Sequence, residues 1–222
     1  MEKTKISVVI PVFNSSEIIP ELIERMMVTF TKLSNYQFEL IMVNDGSEDK
    51  SWEELKIQKN KFPEHIKIIK FTKNYGQHNA ILCGFSFCSG DFVITMDDDL
   101  QHPPEEISKL IEAQKIKDVD IVYGMYKIKQ HSFIRNLGSL FIRKTSEYKK
   151  QNEEGGSSFR LIRKNLVNIL VQKHAQHFLF LDTVLNWYNT NIQIVEVNHE
   201  PRKQGKTGYS LAKLFNIYIN IL

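Results

Sequence analysis

Short apolar segments of strand length alternate with segments of helical periodicity over the first 124 residues of the chain. Consecutive parallel strands need a crossover of about a dozen residues or more, and a helix usually supplies it. The alternation therefore predicts βαβ units and an α/β fold, with a mostly parallel sheet flanked by helices. The predicted strands cover residues 6–12, 38–43, 66–71, 91–96 and 119–123.

Four helices are predicted between these strands, and Ser16 is expected to cap the first of them. They cover residues 16–33, 51–61, 77–88 and 103–116. After residue 124 the pattern changes. Further helices are predicted over residues 133–150, 164–172 and 179–188, with strands at 159–162 and 192–197. We therefore divide the single predicted domain into two halves, 1–124 and 125–222.

Composition and charge narrow the class of protein. The 222 residues are 42% hydrophobic and carry a net charge of +3, which is typical of a globular domain and too small for a dedicated nucleic-acid binder. Cys83 and Cys88 are predicted to be buried free thiols of a reducing compartment. No segment approaches the roughly 18 apolar residues of a spanning helix. Because the chain ends within an apolar-periodic segment, 210–222, we expect it to continue into membrane segments.

Polar residues follow four of the predicted strands at the point where each strand ends. They are Asn14, Asp45, the segment 73–76 and the segment 97–101. The carboxyl ends of parallel strands meet at one edge of a sheet, and ligands of such sheets bind beyond that edge. The sequence therefore predicts a binding site at this edge.

A run of three aspartates follows the fourth predicted strand. In an extended chain Asp97 and Asp99 face one way and Asp98 the other. Two carboxylates about 4 Å apart repel by roughly 4 kcal/mol at an effective dielectric of 20. Mg²⁺ or Mn²⁺ would remove that penalty, with Gln101 as a further oxygen ligand and substrate phosphates completing the shell. The alternative is a solvated acidic turn ahead of a helix.

The turn at residues 44–47 gives a second candidate, because the Asp45 carboxylate can accept an N–H of a nucleobase. A simple Asx turn is the alternative. Phe13, two residues after Pro11, is placed to lie against a base ring, although a lone aromatic is more often part of a core.

Neither a dinucleotide fingerprint nor a P-loop is present in the sequence. Phosphate charge must therefore be met by a metal ion and by basic side chains, for which the guanidinium fork is well suited. The candidates are Arg160, Arg202, Lys203 and Lys206. The last three lie in a glycine-bearing loop, residues 201–208, whose alternative interpretation is a solvated surface loop.

Six motifs follow one another in an order that resembles the family 2 glycosyltransferases of GT-A type. They are ISVVIPVFN at 6–14, VNDGS at 43–47, KNYGQHNA at 73–80, GDFVITMDDDLQHPP at 90–104, SFRLI at 158–162 and RKQGKTGYS at 202–210. The combination is most similar to the polyprenyl-phosphate branch, which includes dolichol-phosphate mannose synthase and the undecaprenyl-phosphate aminoarabinose transferase. The resemblance covers nearly the whole chain.

The resemblance implies roles for residues at matching positions. Pro11, Phe13 and Asp45 would line the nucleoside pocket, and Asp97 would contact ribose or the metal. Asp99 and Gln101 would hold the Mg²⁺ or Mn²⁺ on the diphosphate. The phosphates would be faced by Arg160 and Arg202, with Lys206 in the same loop as Arg202.

Three positions depart from the family pattern. Asn44 stands where the family usually has aspartate, and Phe13 where it more often has tyrosine. Thr207 and Gly208 replace a serine–lysine pair of the acceptor loop, which puts contacts from that side in doubt. Asp45 remains in place, so the departure at Asn44 does not forbid nucleoside binding.

The resemblance also implies an inverting transfer from a UDP- or GDP-linked sugar bound by the first half to an acceptor bound by the second. A lipid phosphate, with a second pKa near ~6, needs no general base. A glycan hydroxyl does need one. Asp182 lies about where relatives that glycosylate sugars carry their catalytic aspartate, and its alternative role is a helix N-cap. A non-catalytic nucleotide-binding module is a third reading, which the intact set of motif residues disfavours.

Two predicted helices carry an apolar stripe, one beside cations. The stripe in 133–150 contains Phe133, Leu137, Leu140 and Phe141, and the other lies in 210–222. Such helices suit an anionic membrane surface, and ordinary core packing is the alternative. We expect an enzyme at the cytoplasmic face of a membrane, with a homodimer through the terminal helix as a further possibility.

Overall fold

The computed structural model describes residues 3–126, 157–174, 181–188 and 190–201. Within these ranges the chain forms a seven-stranded sheet in the order β3-β2-β1-β4-β6-β5-β7. The strands are β1 (Lys5–Val12), β2 (Gln37–Asn44), β3 (Ile66–Lys70), β4 (Phe92–Thr95), β5 (Ile121–Met125), β6 (Arg160–Arg163) and β7 (Ile192–Glu196).

Helices lie on both faces of this sheet. They are α1 (Ile19–Lys32), α2 (Ser51–Lys61), α3 (Gln77–Phe85), α4 (Ile107–Lys117), α5 (Lys164–His174) and α6 (Leu181–Asn186), with a 3₁₀ turn at Pro104–Glu106. The strand pairs β1–β2, β2–β3, β1–β4 and β5–β7 are parallel, so the predicted α/β class with a mostly parallel sheet is confirmed. β6 is antiparallel to both β4 and β5, between which it lies.

The central strand β1 explains why the sheet is covered on both faces. Seven of its eight residues are buried, as expected of a parallel strand between two helical layers. Successive side chains alternate between two core clusters. Val8 and Ile10 pack in the cluster that contains α1 and α4. Val9 packs in the cluster that contains α3, α5 and α6.

Two predicted helix limits were wrong. α1 begins at Ile19, after an N-cap residue, Ile18, that has no side-chain cap, and Ser16 instead donates its N–H to the Asp49 carboxylate at 3.0 Å. Pro20 lies in the first turn of α1, where a missing N–H costs nothing. α3 ends at Phe85 rather than at residue 88. The following turn then brings Asp91 N–H to the Lys5 carbonyl at 2.8 Å.

The sheet crosses the boundary that the sequence places at residue 124. β5 belongs to the first predicted half, yet it pairs with β6 and β7 of the second. The roles assigned to the halves 1–124 and 125–222 stay a prediction. The predicted amphipathic helices at 133–150 and 210–222 lie outside the described residues. Within the described ranges, no helix has the length and apolar character needed to cross a bilayer.

The buried carboxylate of Glu39 links several strands at the end of the sheet opposite to the predicted site. Glu39 is 3% exposed and accepts hydrogen bonds from Ser7 Oγ at 2.7 Å and from Ser89 N at 2.7 Å. Lys67 Nζ lies 2.9 Å from its Oε2. Burial by itself would raise the pKa of Glu39, but the hydrogen bonds from Ser7, Lys67 and Ser89 outweigh it and lower the pKa to about 2. The ionised carboxylate therefore links β1, β2, β3 and the turn before β4.

Glu39 should make the stability of the protein depend on pH in acid. Its pKa is lower in the folded chain than the ordinary value of 4.5, so its stabilisation is present above pH 4.5 and is lost as the pH falls towards 2. At about 1.4 kcal/mol per pKa unit, the contribution is at most about 3.5 kcal/mol. We expect Glu39→Gln to lower the free energy of unfolding at pH 7 much more than at pH 2.5, measured by urea titration.

The control for this substitution is Glu53→Gln, which changes an exposed glutamate on α2. This variant should show the same pH dependence of the free energy of unfolding as the wild-type protein. An equal loss of stability for Glu39→Gln at both pH values would contradict the assignment.

Candidate active site

Four loops interlock at the carboxyl edge of the sheet, as the polar clusters in the sequence predict. Phe13 N donates to Asp98 Oδ2 at 3.1 Å, which joins the loop after β1 to the loop after β4. Asn14 N donates to Ser47 Oγ at 3.0 Å, which joins the loops after β1 and β2. Tyr75 N, in the loop after β3, donates to Asp45 Oδ1 at 2.7 Å. The loops thus form one hydrogen-bonded rim.

The turn after β2 holds the neighbouring loop through both oxygens of one carboxylate. Ser47 N donates to Asn44 Oδ1 at 2.9 Å, so the Asn44 side chain closes the turn at residues 44–47. Asp45 is 3% exposed, and its Oδ2 accepts the Gly76 N–H at 2.9 Å. Gly46 has a φ of +68°, and a Cβ there would lie 2.3 Å from the Lys73 carbonyl carbon. Only glycine fits at this close approach, which brings Asp45 against the loop after β3.

The predicted nucleoside residues are placed at this rim. Pro11 is buried in β1 and is paired with Val43, next to the turn that carries Asp45. Phe13 is 44% exposed, so its interpretation as a core residue is wrong. An exposed aromatic ring beside an acidic turn offers a surface on which a base can stack. The contact of Pro11, Phe13 and Asp45 with a nucleoside stays a prediction.

The aspartate run lies beyond the end of β4 and is a loop rather than an extended strand. Leu100 is 1% exposed and has a φ of +60°, so the chain turns sharply there. Asp98 faces the loop after β1, where Ser15 Oγ donates to its Oδ2 at 2.6 Å. Burial raises the pKa of Asp98 to about 7, although the hydrogen bonds from Ser15 and Phe13 oppose that rise.

Asp97 is held from two directions. Gln77 Nε2, at the start of α3, donates to its Oδ1, and Ser158 Oγ donates to its Oδ2 at 2.7 Å. Burial raises the pKa of Asp97, the charge of Asp99 raises it further, and the hydrogen bonds lower it. Asp99 is 6% exposed, and its Oδ1 accepts the Gln101 N–H at 3.1 Å. Asp97 is thus half-buried and Asp99 buried, and they are near enough for the charge of Asp99 to act on Asp97.

This donor set fits a hard divalent cation. A cation would favour the ionised form of Asp97, against the burial and the repulsion from Asp99 that raise its pKa. Carboxylate oxygens and the amide oxygen of Gln101 are ligand types that Mg²⁺ and Mn²⁺ accept. Among the residues described, no group of three or more His, Cys, Asp or Glu side chains is placed to hold a metal ion. Mg²⁺ held by one or two carboxylates usually takes further ligands from substrate phosphates and water.

A buried ion pair lies beside this loop, across β6. Arg160 is 1% exposed, and its Nε donates to Thr95 Oγ1 at 3.0 Å while its Nη1 pairs with Asp182 Oδ1. The same Asp182 oxygen accepts the Tyr123 hydroxyl at 3.2 Å. Leu181, before Asp182, is already helical, so the N-cap interpretation of Asp182 is wrong. The guanidinium of Arg160 is thus bound to protein partners. Its predicted approach to phosphates stays a prediction.

Not every predicted site residue can be placed. Arg202, Lys203 and Lys206 lie outside the described residues, and their phosphate-binding roles stay predictions. Conversely, the structure assigns positions to Gln77, Ser158 and Tyr123 that the sequence analysis did not single out. The first two belong to the motifs KNYGQHNA and SFRLI, and this membership was the available signal. Tyr123 carried no signal beyond its place at the end of a predicted strand.

The fold of the sheet and its flanking helices is similar to that of solved structures in complex with nucleotide sugars. One similar structure is the mannosyltransferase PcManGT from Pyrobaculum calidifontis in complex with GDP-Man and Mn²⁺, with a TM-score of 0.67 and 12% sequence identity over 92% of this chain and 59% of that one. Another is S. aureus TarS 1–349 in complex with UDP-GlcNAc, with a TM-score of 0.64 and 18% identity over 98% of this chain and 65% of that one. These likenesses define the fold as GT-A.

The chain belongs to glycosyltransferase family 2. The family model described as Glycosyl transferase family 2 matches residues 7–169. A relative from Proteus mirabilis, named undecaprenyl-phosphate 4-deoxy-4-formamido-L-arabinose transferase, is 35% identical over 98% of this chain and 67% of its own length. The protein of the same name from Photorhabdus laumondii is 37% identical, again over 98% of this chain and 67% of its own length. The chain thus spans about two thirds of the length of these relatives, and the predicted family and branch are confirmed.

The hydrogen bond from Gln77 to Asp97 gives a testable consequence for metal binding. Loss of a side chain that orients a metal ligand typically weakens metal binding by roughly 10- to 100-fold. We expect Gln77→Ala to raise the Mn²⁺ concentration needed for half-maximal binding of UDP or GDP by that factor, measured by isothermal titration calorimetry. Gln172→Ala, at an exposed position of α5, is the matched control and should leave that concentration unchanged. An unchanged Mn²⁺ requirement in Gln77→Ala would show that Asp97 is oriented without Gln77.

Proposed function

We propose that this protein transfers a sugar from a nucleoside diphosphate to a polyprenyl phosphate lipid. The observation that carries the proposal is the 35–37% identity, over 98% of the chain, to two relatives named as undecaprenyl-phosphate sugar transferases. The matched region spans the site loops as well as the core. The donor is a nucleoside diphosphate sugar, UDP- or GDP-linked.

The environment of Asp182 supports a phosphate acceptor over a sugar hydroxyl. A sugar hydroxyl needs a general base, whereas a phosphate monoester is largely ionised at neutral pH. The Asp182 carboxylate is ion-paired with Arg160 and accepts the Tyr123 hydroxyl on the same oxygen. Burial raises the pKa of Tyr123 to about 12, so the hydroxyl remains a donor at neutral pH. A carboxylate with both partners in place is suited to fixing Arg160 rather than to taking up a proton.

The leaving diphosphate is assigned to the aspartate loop. Asp97, Asp99 and Gln101 would hold Mg²⁺ or Mn²⁺ there. The chemistry that such an ion supplies is neutralisation of the charge that develops on the leaving group. Mn²⁺ is part of the complex named for the Pyrobaculum calidifontis mannosyltransferase. We further propose that Arg202 and Lys206 contact the phosphates, and that the acceptor oxygen attacks in line, with inversion.

The nucleoside is assigned to the rim formed by Pro11, Phe13 and Asp45. Phe13 offers its exposed ring to the base, and Asp45 offers a carboxylate, a group that accepts N–H donors. Because the proposed acceptor is a membrane lipid, we place the enzyme at the cytoplasmic face of a membrane, in contact with the bilayer surface. A homodimer stays a prediction, and no role for nucleic acid is proposed.

Transfer of radiolabel tests this function directly. The full-length protein in detergent would be given Mn²⁺, a panel of labelled UDP- and GDP-sugars, and undecaprenyl phosphate in competition with free glycan. We expect label in the organic phase, and expect Asp99→Ala to abolish it. Label on the glycan alone, or transfer that persists fully in Asp99→Ala, would contradict the proposal.

The role of Asp182 is separately testable through the pH dependence of the rate. Removal of a general base lowers the reaction rate by roughly 10²- to 10⁴-fold and deletes the ascending limb of the pH–rate profile. With a phosphate acceptor, that limb reports the acceptor's own second ionisation near pH ~6. We therefore expect Asp182→Asn to keep the limb and to lose less than about 10²-fold in kcat.

The matched control is Asp118→Asn. Asp118 is also paired with an arginine, Arg163, at 2.7 Å, but it lies at the other end of the sheet. Asp118→Asn should change neither the reaction rate nor the ascending limb of the pH–rate profile. Loss of the ascending limb in Asp182→Asn alone would identify Asp182 as the base and favour a hydroxyl acceptor.

A further inference from the structure

The segment that follows β7, residues 197–201, lies against the loop that carries the proposed metal ligands. Glu200 N donates to the Gln101 carbonyl at 2.9 Å. Asn198 donates through its N–H and its Nδ2 to the two carboxylate oxygens of Glu106, each at 2.9 Å. Two alternate residues of the segment are thus hydrogen-bonded to the stretch that runs from the aspartate loop into α4.

The residue between them makes an aromatic contact with the same stretch. The His199 ring lies edge-on to the His102 ring, with centroids 5.7 Å apart, and 4.3 Å from the Tyr126 ring. His102 is 9% exposed and stacks on Phe159 at 5.2 Å. Three consecutive residues of the segment therefore contact the loop, and Gln101, a proposed metal ligand, lies among their partners.

One side chain of α1 closes this arrangement. Arg25 donates from Nε and Nη2 to the two carboxylate oxygens of Glu105, at 3.0 and 2.7 Å. It also donates from Nη1 and Nη2 to the two oxygens of Glu200, at 3.1 and 2.9 Å. The Arg25 side chain is 20% exposed, and Glu21 lies at 3.8 Å on the same helix. A single guanidinium thus makes two bidentate pairs with elements that are far apart in sequence.

The chemistry of this pairing is specific to arginine. A guanidinium has five N–H donors in a fixed plane, and two carboxylates can each be gripped by two of them. A lysine ammonium is a point charge that cannot reproduce either fork. The hydrogen bonds from Arg25 also lower the pKa of Glu105, which keeps that partner charged. The two bidentate pairs of Arg25 therefore fix the distances and angles between Glu105 and Glu200 in addition to balancing their charge.

We infer that Arg25 is a positioning residue that holds residues 197–201 against the aspartate loop and so sets the diphosphate end of the site. The inference rests on the proposed function. Pro201 is the last described residue of the segment, and Arg202, proposed to contact the phosphates, follows it in the sequence. The anchored segment thus lies beside Gln101, a proposed ligand of the metal. No atom of Arg25 is assigned to the substrate.

The first test measures binding without any acceptor, so that it does not depend on the identity of the lipid. Affinities for UDP and GDP would be measured by calorimetry with Mn²⁺ and again in EDTA. We expect Arg25→Gln, Arg25→Lys and Glu200→Gln each to weaken the Mn²⁺-dependent affinity by about tenfold, the lower range for loss of a residue that orients a metal ligand. Affinity in EDTA should change less than twofold. The double variant Arg25→Gln/Glu200→Gln should be no weaker than the worse single variant.

Arg163→Gln is the matched control. Arg163 also joins two acidic residues, Asp118 at 2.7 Å and Asp120 at 3.5 Å, at the edge of the sheet opposite to the site. This variant should lower the melting temperature without changing the Mn²⁺-dependent affinity. An unchanged affinity in Arg25→Gln, or an equal loss in Arg163→Gln, would overturn the inference.

Hydrogen–deuterium exchange of the nucleotide-free protein gives a second readout. We expect peptides that contain Gln101 and Glu200 to exchange faster together in Glu200→Gln, a substitution at a 38% exposed side chain that the fold should tolerate. Arg163→Gln should leave both peptides protected. Unchanged protection in Glu200→Gln would overturn the inference. If the Arg25 and Glu200 variants weaken nucleotide binding as expected but the wild-type protein transfers no sugar to the lipid, the proposed acceptor is refuted and the role of Arg25 stands.

Discussion

Burial of adjacent carboxylates beyond the end of β4 is the constraint on which the rest of the site depends. Ionised carboxylates cannot remain close together in a poorly solvated loop unless each is compensated. Asp98 is compensated by the loop after β1, through Ser15 Oγ and Phe13 N. Asp97 is held by Gln77 and Ser158, which come from α3 and from the residues before β6. The loops are therefore fixed largely by their contacts with these carboxylates, and the proposed divalent cation would complete the balance of charge.

The same logic extends outwards from the aspartate loop. Asp45 organises the loop after β3 by accepting two backbone N–H groups, as a buried carboxylate requires. Arg160 is neutralised by Asp182 beneath the rim, and Arg25 joins Glu105 to Glu200 beside it. Each charged group thus orients a backbone segment that belongs to another strand or helix. This explains how a site made of loops can be rigid enough to position a diphosphate.

The sequence predicted most of the fold because β1 to β5 and the helices between them carry strong periodicity. It did not predict that β6 lies antiparallel between β4 and β5, since the pairing of a four-residue strand is decided by tertiary contacts. The motifs located the rim and the aspartate loop. They did not reveal the pair between Arg25 and Glu200, which are 175 residues apart, because no local pattern records so distant a contact. Because β4 ends at Thr95, the aspartates lie in a loop and not in the extended strand that the sequence analysis assumed.

The proposed aspartate site would bind a cation jointly with a diphosphate. Electron paramagnetic resonance of Mn²⁺ measures such binding, in titrations of the wild-type protein with and without UDP or GDP. Because the proposed ligands from the loop are two carboxylates and one amide, we expect weak Mn²⁺ binding to the protein alone and tight binding once the nucleoside diphosphate is present. Tight binding of Mn²⁺ in the absence of nucleotide, or nucleotide binding that is indifferent to Mn²⁺, would contradict this expectation.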